Sequence, residues 1–158
     1  MAIVYRTLTP EDVSAIAAAF GSRIERLRVL HFEADCYTLG AFDEGCLVGI
    51  ISTYPKKFPE PLPLGGRRDA YIDLIEVEQN HRRQGIAAAM IAMTEDWARA
   101  QGYRQIRSWS SANKTEAIPM WYALGYCLCP ACPYAAKPNR KLPNGYYVAK
   151  LLGGKEKL

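Results

Sequence analysis

Long apolar runs are missing from this chain. The longest, from Ile86 to Met93, is far short of the roughly 20 residues that cross a bilayer, so no membrane partner is expected. A strong charge bias is missing too. The formal net charge is +4, too mild for a nucleic-acid footprint, so no nucleic-acid partner is expected and any basic site must be local. The opening residues, Met1-Ala2-Ile3-Val4-Tyr5-Arg6, lack the apolar stretch that follows the basic start of a secretory signal. A cytoplasmic location is the expectation. The cysteines are five, an odd number, and a chain of this length builds a core without staples, so free thiols are expected. No internal repeat or dividing linker is visible. What is present is ordinary globular composition, 49% apolar and 23% charged over 158 residues. That fits one domain spanning 1–158 and excludes a disordered or fibrous chain.

The most informative stretch is YIDLIEVEQNHRRQGIA, residues 71–87. A strand-like run ends in a short basic loop, and the loop runs straight into a helical pattern. The first N–H groups of a helix have no partner inside it, and the macrodipole adds partial positive charge there. Strand, glycine-containing turn and helix N-terminus together form an anion site. Gly85 lets the backbone approach a bulky anion closely, and Arg82, Arg83 and His81 add charge around it. A phosphorylated ligand is therefore expected.

Along the chain, 2–8 reads as a strand, and Thr9-Pro10-Glu11-Asp12 opens a helix with an N-cap threonine and a first-turn proline. A second helix is expected over 22–31. Strands over 36–43 and 46–54 flank a turn at Asp43-Glu44-Gly45. Residues 55–69, rich in proline and glycine, read as a loop. A strand over 70–78, a helix over 85–101 and a strand over 105–110 imply a parallel pair with a right-handed crossover. On that helix Ile86, Met90, Met93, Trp97 and Ala100 recur at helical spacing, as core packing does. A short helix is expected around 114–124, with Asn113 and Glu116 as a capping box and Pro119 bending or starting it. Strands over 126–129 and 146–152 close the chain around a second long loop.

This order of elements, with two motifs, resembles the GNAT (Gcn5-related) N-acetyltransferase superfamily. The acyl-CoA signature of that family, Q/R-x-x-G-x-G/A, is similar to Arg82-Arg83-Gln84-Gly85-Ile86-Ala87, and Val77 stands at its preceding valine. The later signature is matched by Asn113, Ala117, Trp121-Tyr122 and Leu124-Gly125-Tyr126. The resemblance implies an α/β (α+β) fold, a mixed sheet of six to seven strands flanked by about four helices. It also implies acetyl-CoA as co-substrate, no metal, and a small-molecule or peptide amine as acceptor, and it leaves a homodimer open. By the same resemblance, amides of Arg83 to Ala87 hold the coenzyme A pyrophosphate, with Arg82 adding charge. The backbone of Ile75, Glu76 and Val77 pairs with the pantetheine arm, an amide there polarises the thioester carbonyl, and Asn113 contacts the arm or orders the turn beside it. A base on the central strand falls at Asp73 or Tyr71, with Asp73 preferred. An ion pair between Asp73 and a basic side chain is the competing reading. Glu76 is the next carboxylate, on the other sheet face from Asp73 unless a bulge intervenes.

The chain departs from the family at one catalytic position. The tyrosine that commonly protonates the leaving thiolate counts to Trp121, which has no useful acidic proton. Tyr122 serves only if the helix register shifts by one, so a dedicated acid is open. The acceptor pocket is expected from roughly residues 20–35 and 130–145, where Glu33 and Asp35 attract a cationic amine or are plain surface acids. Two other functions compete with catalysis. One is a non-catalytic acyl-CoA sensor or interaction module. The other is a zinc-bound module on Cys127, Cys129 and Cys132, although a closed zinc site needs a fourth ligand. His31 reads as structural or superficial.

Overall fold

The computed structural model of the protein describes residues 2–26, 28–57, 68–131 and 145–153. Seven strands form one sheet: β1 (Val4–Thr7), β2 (Tyr37–Asp43), β3 (Cys46–Lys57), β4 (Arg68–Val77), β5 (Gln105–Ser111), β6 (Cys127–Ala131) and β7 (Gly145–Leu151). Their spatial order is β1-β2-β3-β4-β5-β7-β6. Every pairing is antiparallel except β4 with β5. That parallel pair follows from the long crossover through α3 (Ile86–Ala100), since parallel neighbours cannot be joined by a tight turn. The β2–β3 hairpin turns through Glu44 and Gly45, both at positive φ, as a two-residue turn matching strand twist requires.

Helices cover both faces. Alternation along β3 sends Ile51 to the core under α3, with Ile86, Met90 and Ile91, and sends Ile50 to a smaller core with Ile16 and Ile24. Those last two belong to α1 (Val13–Phe20) and α2 (Arg23–Arg26). A 3-10 turn, Pro10–Asp12, leads into α1, and the Thr9 N–H donates to Asp12 Oδ2 at 2.8 Å. The first motif sits where α3 meets the sheet. At Gly49 a Cβ would lie 3.1 Å from both Ile86 and Met90 side-chain atoms, so the missing side chain lets the first turn of α3 settle close on β3.

Several expectations are corrected. The second helix is short: α2 ends at Arg26, Arg28 is left-handed (φ 51°), and 29–31 are not helical. The chain is drawn onto the sheet there, because the His31 N–H donates to Ser52 Oγ at 3.0 Å. The loop expected over 55–69 is shorter, since Pro55 to Lys57 pair with Ala70 to Arg68. Proline is tolerated because β2 begins only at Tyr37, opposite Thr53, so beyond Thr53 that edge of β3 has no ladder to break. Residues 58–67 lie outside the described residues. On α3 the buried stripe is Ile86, Met90, Thr94 and Ala98, with Ile91 and Glu95 beside it, whereas Met93 and Ala100 are exposed. Thr94 qualifies because its hydroxyl donates to Met90 O at 2.8 Å. Glu95 qualifies because Lys150 Nζ, at 2.9 Å, and the Tyr126 hydroxyl, at 3.0 Å, donate to Oε1. The last helix, α4 (Ala117–Ala123), starts late enough to put Pro119 in its first turn, where no internal bond is lost. Asn113 does not cap it; Glu116 holds the cap position.

Candidate active site

The parallel ladder between β4 and β5 has three rungs, Ala70–Ile106, Tyr71–Arg107 and Ile72–Ser108. Ser108 Oγ closes the last by donating to Ile72 O at 2.9 Å. Beyond it the strands part. The cause is local. On the other edge of β4 the register with β3 jumps from Thr53–Ile72 to Ser52–Leu74, leaving Asp73 as an extra residue. Such a bulge bends its strand and increases the twist. It also shifts side chains between faces: Ile72, Ile75 and Val77 all pack on the α3 side, and Leu74 packs on the α1 side. Asp73 and Glu76 therefore share the α1 face, and the simple alternation that separated them does not hold. The freed edge of β4 runs through Ile75, Glu76 and Val77.

At the end of β4 the chain makes a 3-10 turn, Gln79–His81, and then the basic loop. Gly85 caps α3 in the left-handed region (φ 81°), and Arg83 shares that sign (φ 64°). The Ala89 N–H bonds back to Gly85 O at 2.9 Å, so the amides of Ile86, Ala87 and Ala88 lie ahead of the first internal bond, free for an anion. A Cβ at Gly85 would meet no protein atom within 4 Å. Arg82 braces the loop rather than pointing away from it, since its Nε donates to Val77 O at 3.1 Å. His81 clamps the same turn, with Nδ1 2.5 Å from Glu78 Oε2 and Nε2 3.2 Å from Asp43 Oδ2. The hydrogen bond to Glu78 leads in raising its pKa, with Asp43 adding to it.

A cavity of about 710 Å³ joins these parts. The predicted binding residues Ile75, Glu76, Val77, Arg82, Arg83, Gly85, Ile86, Ala87 and Asn113 all border it. Gln84 does not; its amide donates back to Asn80 O at 3.2 Å. Arg23, inside the 20–35 stretch expected to form an acceptor wall, also lines the cavity, as do Lys114 and Met120, which sequence reasoning missed because neither position belongs to a motif.

Asp73 does not border this cavity; it belongs to a cluster with His31, Tyr54 and Tyr71. Its Oδ2 lies 2.8 Å from His31 Nε2, a hydrogen bond between carboxylate and ring. Tyr54 lies between, its ring centroid 4.3 Å from His31 and 5.6 Å from Tyr71. The Lys56 ammonium lies 3.8 Å over the Tyr71 ring. Burial, with the Asp73 charge next, pushes the Tyr71 phenol up to about 12, which removes it as a base near neutrality. Burial also lowers the Lys56 pKa, with Arg107 contributing. His31 heads a further cavity of about 350 Å³, bordered by Glu33, Asp35, Tyr54 and Arg68. The sequence offered no signal for the His31–Asp73 pair, since 42 residues separate them.

Trp121 is 2% exposed and packs edge-on against Tyr126, while Tyr122 is 59% exposed and does not border the larger cavity. Cys127 and Cys129 are exposed free thiols, and Cys132 and residues 132–144 of the second expected acceptor wall lie outside the described residues. Among the described residues, no group of three or more His, Cys, Asp or Glu is placed to hold a metal, and no helix is long and apolar enough to cross a membrane.

Residues 5–126 match the profile of the acetyltransferase (GNAT) family. The chain is 34% identical over 82 residues to probable N-acetyltransferase family 8 member 5 of Mus musculus, covering 52% of this chain and 34% of that protein. It is 29% identical over 123 residues to GCN5-related N-acetyltransferase 4, chloroplastic, of Arabidopsis thaliana, covering 72% of this chain and 42% of that one. The chain thus spans less than half the length of these curated relatives. The crystal structure of Arabidopsis thaliana NAA60 in complex with acetyl-CoA superposes with a TM-score of 0.71 at 15% identity, over 97% of this chain and 100% of that one. Its complex with a bisubstrate analogue gives 0.70 at 16%, over 95% and 98%. At such identity the likeness is one of fold.

Proposed function

Because the chain belongs to the GNAT acetyltransferase family, we propose that it moves an acetyl group from acetyl-CoA to a primary amine by direct attack in a ternary complex. The observation that carries this reading is the cavity in which the freed edge of β4 meets the N-terminus of α3. The chemistry of the two ends suits a phosphorylated thioester. The amides of Arg83 to Ala87 take the pyrophosphate, with the left-handed Gly85 giving room. The backbone of Ile75 to Val77 offers strand-type hydrogen bonds to the pantetheine arm, and one of its amides stabilises the oxyanion formed at the thioester carbonyl. Asn113 borders the same space. NAA60, which shares the fold, was solved with acetyl-CoA and with a bisubstrate analogue, ligands of the kind proposed here.

Acetyl transfer needs a neutral amine, and two carboxylates stand near the bend to draw an ammonium: Glu76, which borders the cavity, and Asp73, which does not. Tyr122, the phenol beside Trp121, is exposed and off the cavity wall, which leaves protonation of the thiolate to solvent or to the attacking nitrogen. The buried Trp121 favours one rival, an acyl-CoA-binding domain without turnover. Thermal unfolding with and without acetyl-CoA, followed by an amine panel read by mass spectrometry, separates the two. At a hundred times the dissociation constant a native-state ligand adds about 2.7 kcal/mol, a rise of roughly 5–10 °C for a chain of this size. A rise with acetylated product supports the enzyme, a rise without product the binding domain, and no rise removes both.

A further inference from the structure

The bulge that parts β4 from β5 also builds a histidine–carboxylate pair. Ser52, the β3 residue beside the irregularity, accepts the His31 N–H at 3.0 Å and lies 2.7 Å from Thr38 Oγ1, which donates to His31 O at 2.6 Å. Ser52 and Thr38 are buried, so two interior hydroxyls fix the backbone of a residue in an otherwise irregular segment. The ring leans on Tyr54, and Nε2 meets Asp73 Oδ2 at 2.8 Å. Among the described residues no group bonds Nδ1. The ring is part of a cavity wall rather than of the core, its side chain 18% exposed.

We propose that His31 takes the proton of the acceptor ammonium and that Asp73 is the positioning residue that holds its imidazole. This rests on the acetyl-transfer reading above. An ionised carboxylate only accepts, so Asp73 keeps the ring proton on Nε2 and leaves the lone pair on Nδ1. Nδ1 removes one proton from R–NH3⁺, directly or through one water. The freed nitrogen forms the C–N bond at the acetyl carbon, and the C–S bond breaks with its electron pair going to sulfur. The second nitrogen proton ends on that sulfur, and the imidazolium returns the first to water. The products are the amide, the thiol and one proton. The charges facing the pair come from every side: Asp73 on β4, Tyr54 and Lys56 on β3, which both sense the Asp73 charge, and Glu33 on the segment of His31 itself. Arg107 on β5 acts on Tyr54 and Lys56. Glu33 and Asp35 line the cavity that His31 borders and favour a cationic acceptor.

The test is the pH dependence of kcat/KM for the wild type, His31→Gln and Asp73→Asn, with acetyl-CoA and spermidine, L-lysine and a peptide with a free N-terminus as probes. His31→Gln is expected to lose about 100-fold in kcat, keep the acetyl-CoA KM, and lose the acidic limb of the profile. His31→Ala is expected to regain part of its rate in added imidazole, which a folding role would not allow. Asp73→Asn lowers kcat with little change in the acetyl-CoA KM. Acetylation by the wild type with unchanged rate and acidic limb in His31→Gln, or in Asp73→Asn should the first variant fail to fold, would overturn the assignment while leaving the acetyl-transfer reading intact. No product from the wild type with any of the three amines, despite acetyl-CoA binding, would count against that reading and the assignment with it.

Discussion

At Gly85 the backbone needs a φ of 81°, and the proposed pyrophosphate cradle needs open space in front of it; one residue type meets both demands. Gly85→Glu would place a negative side chain in front of the α3 amides and force an L residue into the left-handed region, a cost of about 1–2 kcal/mol. It is expected to abolish the acetyl-CoA-dependent rise in melting temperature; an undiminished rise would place the anion cradle elsewhere. The same scale explains what a reader of the sequence sees and misses. Gly85 is visible because its spacing from Arg82 and Val77 is a pattern along the chain. The partnership of His31 with Asp73 is invisible because it exists only once β3, β4 and the segment before β2 are side by side. Trp121 was visible as a departure, but that it fills the core under Tyr126 became clear only in three dimensions.

At the scale of elements, two anchors beside the motifs make distinct predictions. His81 ties the turn before the basic loop to Glu78 and, across 38 residues, to Asp43 at the β2–β3 hairpin. Its raised pKa means that the folded state binds the proton more tightly than the unfolded chain. The stabilisation is therefore fully present below the unfolded value of about 6.5 and fades as pH rises through the folded value. Melting temperatures of wild type and His81→Gln should differ most at acidic pH and converge on the alkaline side; a constant gap would show that the clamp does not depend on charge. The second anchor is Lys150 on β7, which donates to both Glu95 oxygens and to Leu124 O at the end of α4. Lys150→Met would leave a nearly buried carboxylate with Arg99 and Tyr126 alone, and a loss of about 3 kcal/mol in urea unfolding is expected. Periodicity found the helix carrying Glu95 and its buried Ile86 and Met90, and missed Thr94 and Glu95, which look polar until their partners arrive. The bulge was equally illegible: Ile72, Leu74, Ile75 and Val77 are all apolar, so no alternation along β4 reports where the faces exchange.

On the scale of the whole molecule, the order of elements was legible and the loops between them less so. Strand and helix succession follows from local patterning, and the parallel placement of β4 and β5 from the length of the crossover. What local patterning does not contain is how little of that parallel contact survives. The sheet consists of two antiparallel blocks, β1 to β4 and β5 to β7, and three rungs of backbone pairing join them. Those rungs are a seam, and an extended ligand lying along the open part of it would act as a missing strand. The donor would then be a structural member as well as a reactant, bracing two half-sheets that are otherwise held mainly by packing. Amide hydrogen exchange is expected to slow on binding acetyl-CoA along Ile75 to Val77 and also across the seam on β5, although β5 lies outside the anion cradle. Protection confined to the basic loop would mean that the blocks were already locked. If the seam does tighten, the protein is stiffest while it is loaded and loosens each time the spent thiol departs, so that release of one product resets the frame for the next round.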